Sequence, residues 1–179
     1  CGTVTSTTAV LNPTVATPIL NTNNIAVCEG TAITLTTSST TATTTYQWYL
    51  AGTAIGGATN NTYNPTSSGN YSVIANATGF CKSGTASATV TINPAPLVAI
   101  VQGSTLTLTG GSEQLTAVVS PSGSYTYAWY NGSSIASGSA NSNNYNVSSV
   151  GNYSVRATNT TTNCFANSAT IAIISIPST

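Results

Sequence analysis

Along much of the chain apolar and polar residues alternate in short runs, and clusters of Gly, Asn, Ser and Pro interrupt them. A period of two puts every second side chain on one face, so each run predicts a half-buried β-strand. The first half predicts strands over Ala32–Ser38, Thr44–Leu50, Thr62–Asn64, Asn70–Asn76 and Thr85–Ile92, with an edge strand near Ile25–Val27. The second half predicts Gln114–Val119, Tyr125–Tyr130, Tyr145–Val147, Asn152–Thr158 and Ala169–Ile174. No useful length of sequence has the helical period. Short strands regularly spaced between turns are the pattern of a β-sandwich.

The pattern repeats. Tyr46-Gln47-Trp48-Tyr49 returns as Tyr127-Ala128-Trp129-Tyr130, a shift of 129 − 48 = 81. Gly69-Asn70-Tyr71-Ser72-Val73 returns as Gly151-Asn152-Tyr153-Ser154-Val155, a shift of 82, and Cys81 returns as Cys164, a shift of 83. Backwards, the stretch from Cys81 to Asn93-Pro94 resembles that from Cys1 to Asn12-Pro13. Self-similarity at a fixed period marks a repeat architecture. It predicts a terminal strand of a preceding repeat over 1–16, or one donated to another subunit, then repeats over 17–95 and 96–179. Asn93-Pro94-Ala95-Pro96 reads as a short linker stiffened by two prolines.

Trp48 and Trp129 fall mid-strand at one place in both repeats, where an immunoglobulin-like sandwich packs an aromatic between its sheets. Core packing is preferred to a sugar-stacking platform, since alternation turns Gln47 and Ala128 to the opposite face. Tyr71 and Tyr153 follow Gly-Asn at the start of the next-to-last strand, the place of a tyrosine corner. The expected fold is all-β: tandem immunoglobulin-like β-sandwich domains.

Composition removes several functions. Of 179 residues 40% are hydrophobic, enough for a core, and 2% are charged: Lys82, Arg156, Glu29 and Glu113, with net charge zero. Two basic residues in separate repeats cannot supply the phosphate contacts of nucleic-acid binding or a basic membrane patch. No apolar run approaches the ~20 residues that span a bilayer. With no His and no Asp, a Ser-His-Asp site has neither base nor orienting acid. Glu29 and Glu113 sit in different repeats, so paired-carboxylate chemistry is not expected, and calcium would lack ligands. No cofactor is expected. Gly56-Gly57 and Gly110-Gly111 read as turns. Asn-x-Ser/Thr triplets, as at Asn60 and Asn131, arise easily in a chain this rich in those residues.

Four cysteines fit an oxidising, extracellular setting. Cys28 and Cys81 lie in one repeat and are expected to be bridged, a closure that stabilises by at most about 4 kcal/mol. A metal site there would lack further ligands. In the second repeat Leu108 or Thr109 takes the place of Cys28. Cys164 and Cys1 are then left unpaired or pair with another molecule, Cys1 most simply with a preceding repeat.

The ordered set Cys28-Glu29-Gly30, Tyr46-x-Trp48-Tyr49, Gly56-Gly57-Ala58-Thr59, Ser68-Gly69-Asn70-Tyr71, Gly79-Phe80-Cys81 and Thr89-Val90-Thr91-Ile92-Asn93-Pro94 resembles the Ig-like repeats of very large Bacteroidota cell-surface proteins, including SprB-like gliding adhesins and other type IX secretion substrates. The resemblance implies export by that system and display on the cell surface as an adhesive filament or spacer, and it carries over no catalytic residue. The expected partners are neighbouring repeats or identical subunits, the more so because few charges guard the strand edges. Two alternatives stand beside a structural stalk. One is a carbohydrate- or cell-binding module using Tyr49, Tyr63, Tyr130 or Tyr145; the other is an accessory domain of a secreted enzyme.

Overall fold

A computed structural model describes residues 12–41, 44–109 and 111–175. The chain divides into two units. The first comprises Cys1–Ala26 with Gly30–Ile92, and the second Val27–Glu29 with Asn93–Thr179.

The strands of the first half are β1 (Ile19–Leu20), β2 (Asn24–Cys28), β3 (Leu35–Ser38), β4 (Thr45–Leu50), β5 (Thr53–Ala54), β6 (Thr62–Tyr63), β7 (Gly69–Asn76) and β8 (Thr85–Asn93). They form one sheet in the order β1-β3-β6 and another in the order β2-β8-β7-β4-β5. Alternation does the sorting: β7 buries Tyr71, Val73 and Ala75 while Asn70 stays exposed. With Val15, Ile33, Leu35, Trp48, Ala88 and Val90, these residues fill the first core.

The second half repeats the plan with β9 (Leu97–Ile100), β10 (Thr105–Leu108), β11 (Glu113–Ser120), β12 (Tyr125–Asn131), β13 (Ser134–Ile135), β14 (Asn144–Val147), β15 (Gly151–Asn159), β16 (Phe165–Asn167) and β17 (Ile171–Ser175). Its sheets run β14-β11-β9 and β10-β17-β15-β12-β13, with β16 also on β15. Leu115, Ala117, Trp129, Val147, Tyr153, Val155, Ile171 and Ile173 form its core. In both halves an early strand lies parallel to the last one. Thr105 pairs with Ala172 and Leu108 with Ser175. Correspondingly, Thr89 N–H donates to Asn23 and Glu29 N–H to Asn93.

Local chemistry explains where the elements depart from expectation. The strand expected over Ala169–Ile174 is β17, and a further short strand, β16, precedes it on β15, the two set apart at Ser168. Its hydroxyl accepts the Val155 N–H at 3.1 Å and donates to the Ala169 carbonyl at 2.8 Å, replacing ladder bonds. The short strand β5 follows a two-residue turn in which Ala51 (φ 47°) and Gly52 (φ 82°) are both left-handed, the requirement for a hairpin whose twist matches its strands. The expected linker is confined to three residues: β8 runs to Asn93 and β9 begins at Leu97.

Residues 12–16 correct the expectation that 1–16 close a preceding repeat. They belong to the first unit. Cys81 N–H donates to the Pro13 carbonyl at 2.9 Å, Val15 N–H donates to the Cys81 carbonyl at 3.0 Å, and Val15 is buried. Residues 1–11 lie outside the described residues.

Candidate functional site

Each unit holds an aromatic stack between its sheets. Trp48 and Trp129 are fully buried. The indole N–H of Trp48 donates to the Asn60 carbonyl at 2.9 Å, and that of Trp129 to Ser142 at 3.0 Å, so neither leaves a polar group unpaired. Tyr63 stacks on Trp48 at 5.8 Å between ring centroids and meets Tyr71 at 5.6 Å. Tyr145 does the same between Trp129 (5.6 Å) and Tyr153 (5.9 Å). Burial, and secondarily the neighbouring Tyr153 phenol, raise the pKa of Tyr145 above its ordinary value. The Tyr71 hydroxyl donates to the Ser67 carbonyl at 2.9 Å and that of Tyr153 to Ser149 at 3.2 Å, each four residues upstream. This is the tyrosine-corner geometry. A Cβ on Gly69 would lie 2.5 Å from Leu50 Cδ1, and one on Gly151 would strike the Asn131 carboxamide, so a larger residue at either place would have to displace the end of a side chain.

These stacks take Tyr63 and Tyr145 out of the set of free ligand platforms. Tyr130 is different. It sits on the face opposite Trp129, where the Arg156 guanidinium carbon lies 5.7 Å from its ring centroid and 4.4 Å from that of Phe165, which is half exposed. Arg156 Nε also donates to Asn167 Oδ1 at 3.1 Å. Tyr49, the repeat counterpart of Tyr130, is partly buried on the same side of its own sheet. Phe165 carried no sequence signal, since a single aromatic opening a three-residue strand has no period to betray it.

The cysteines overturn the expected pairing. The disulfide joins Cys28 to Cys164, with 2.03 Å between sulfurs, 5.5 Å between Cα atoms and a sequence separation of 136. Cys81 is free and exposed, and Cys164, expected to be unpaired or intermolecular, is fully buried. Strand geometry gives the reason. Cys81 precedes the start of β8 and Cys28 lies beside its end, against Asn93. Nine residues at about 3.3 Å each span roughly 26 Å, whereas a disulfide needs Cα atoms within about 7 Å. Sharing a repeat in sequence therefore did not make the two neighbours. Val27–Glu29 belongs to the second unit and is held there by Asn93. The Asn93 carbonyl accepts the Glu29 N–H at 2.8 Å, and its amide donates to the Val27 carbonyl at 3.3 Å. The Asn93 carbonyl oxygen lies 3.9 Å from Cys164 Sγ. The recurring Asn-Pro pair was visible in the sequence as a landmark, but its part in seating a cysteine was not. Cys1 lies outside the described residues.

Among the described residues no three His, Cys, Asp or Glu side chains come together as a metal site, and none of their helices is long and apolar enough to cross a membrane.

Comparison with known proteins finds a family match and similar solved structures. Residues 13–94 match the family described as Ig-like domain CHU_C associated. The chain is all-β, built of tandem immunoglobulin-like sandwiches. An I-band fragment of titin aligns at 16% identity and a TM-score of 0.49, over 88% of this chain and 65% of that one. Three domains of the bacteriophage RB49 Highly Immunogenic Outer Capsid protein align at 16% identity and 0.43, over 90% and 59%. Fibronectin(III)-like modules of Clostridium thermocellum CbhA align at 14% and 0.41, over 88% and 94%. This chain thus spans about 65% of the titin fragment. No curated protein matches.

Proposed function

We propose that the chain is a non-catalytic stalk segment of a secreted, surface-displayed repetitive adhesin, serving gliding or attachment. The family match over the first repeat supports an Ig-like domain of the kind found in Bacteroidota surface proteins, and a disulfide suits an extracellular setting. One observation carries the mechanical part, the covalent path. A pull applied before Cys28 and after Cys164 passes through the disulfide, so nearly everything between them is relieved of load. The stalk then keeps its length even while its sandwiches open.

Single-molecule extension from the two ends tests this reading. The oxidised chain is expected to release only its flanking segments. Reduction should release the 136-residue span, roughly 460 Å of contour at about 3.4 Å per residue. Equal extension before and after reduction would end the proposal.

A second reading, a glycan- or cell-surface-binding module, draws on the partly exposed Tyr130–Arg156–Phe165 cluster. An aromatic face beside a cation is a plausible sugar platform in chemical terms. Glycan-array binding that disappears in Tyr130→Ala would favour it, and an array without signal would remove it.

A further inference from the structure

Cys81 and Cys164 occupy the same position in successive repeats, 83 residues apart, just as Asn12-Pro13 and Asn93-Pro94 do at 81. Their surroundings match as well. The Asn12 carbonyl oxygen lies 3.7 Å from Cys81 Sγ, and the Asn93 carbonyl oxygen lies 3.9 Å from Cys164 Sγ. At the second site a cysteine-bearing strand end completes the arrangement. Cys28 bonds Cys164, Glu29 N–H reaches the Asn93 carbonyl, and Cys164 is buried. At the first site both Asn12 and Cys81 are exposed, and nothing among the described residues stands where Val27–Glu29 stands at the other.

We infer that Asn12 and Cys81 form a docking site for the Val-Cys-Glu strand end of another immunoglobulin-like repeat placed ahead of this one, which bonds Cys81 as Cys28 bonds Cys164. The inference rests on the array reading and names its linkage: each bond reaches from the early strand of one repeat to the penultimate loop of the next. It also sets a rule for the sequence. A repeat of the second kind, with Leu108-Thr109 where Cys28 would stand, has no cysteine to offer its successor, so bridged and unbridged steps depend on the order of repeat types. Bond formation balances by exchange with a small-molecule disulfide such as oxidised glutathione. The two protein thiols become one protein disulfide, and the oxidant leaves as two thiols.

The test joins a second copy of residues 13–92 directly ahead of Asn12 in the chain from 12 to 179. The leading copy carries Cys81→Ser and so presents only its Cys28. In a glutathione redox buffer, alkylation and intact mass should show the thiol at Cys81 lost, falling from one in the natural chain's 12–179 segment to none. Non-reducing peptide mapping should place one bond between the leading Cys28 and Cys81, beside an unchanged Cys28–Cys164. Cys28→Ser in the leading copy should return one alkylatable thiol. If Cys81 and the leading Cys28 both stay alkylatable while Cys28–Cys164 is intact, the inference fails and the stalk reading stands. A bond from Cys81 to a second molecule also overturns it. Should the longer chain not fold, the peptide Asn-Ile-Ala-Val-Cys-Glu-Gly, offered as a mixed disulfide to the natural chain carrying Cys1→Ser, gives the answer. Capture at Cys81 faster than by a scrambled peptide supports the docking site, and equal rates refute it.

Discussion

Cys81 and Cys164 hold one place in two successive repeats, yet the first is exposed with a free thiol and the second is fully buried in a disulfide. The backbone carbonyl beside each sulfur is the same, from the asparagine of an Asn-Pro pair. What differs is the presence of a cysteine-bearing strand end over the second. In this chain a cysteine's state is set by whether a second cysteine-bearing strand end lies over it, not by its place in the repeat.

The largest effects should separate the two sites. Cys164→Ser or Cys28→Ser opens a loop with a sequence separation of 136, for which the chain-entropy relation gives a loss of at most about 5 kcal/mol. Cys81→Ser breaks no bond among the described residues and should leave the unfolding free energy within about 0.5 kcal/mol of the parent, as surface substitutions do. Denaturation of the three variants measures the gap. Equal midpoints for Cys164→Ser and Cys81→Ser would mean that the bond contributes nothing to folding and that the two sites differ only in access.

The same contrast shows where sequence reasoning runs out. Alternation located the strands that bury Tyr71, Val73, Trp129 and Val155, because a period of two is a local property. The repeat ruler identified Trp48, Trp129, Tyr71 and Tyr153, which now lie buried in two copies of one core. Short edge elements such as β5 and β9 were missed, since two to four residues beside a turn or a proline pair carry too little pattern. The disulfide was missed for a different reason. Cysteine pairing depends on which strand ends meet in space, and β8, running from Thr85 to Asn93, separates Cys81 before its start from Cys28 beside its end. Nothing in the spacing 28 to 81 or 28 to 164 reports that separation.

The tyrosine corners offer the smaller and sharper test, because here the two units agree where the cysteines do not. Tyr71→Phe and Tyr153→Phe each remove one hydroxyl donor to a carbonyl four residues upstream, at 2.9 and 3.2 Å, and leave the ring packed, tilted, at 5.6 and 5.9 Å from its neighbour. The ring's burial is kept, so each change should cost only about 1 kcal/mol, the net worth of one hydrogen bond plus the carbonyl left behind. The two losses should match within about 0.5 kcal/mol, since each removes the same hydroxyl from the same corner geometry. Near-equal losses would show that the corner is a local device copied faithfully in both units. A much larger loss at Tyr153, measured again after Cys28→Ser has removed the bridge, would instead tie the second corner to the disulfide, and the contrast between the units would then extend beyond the cysteines into the core.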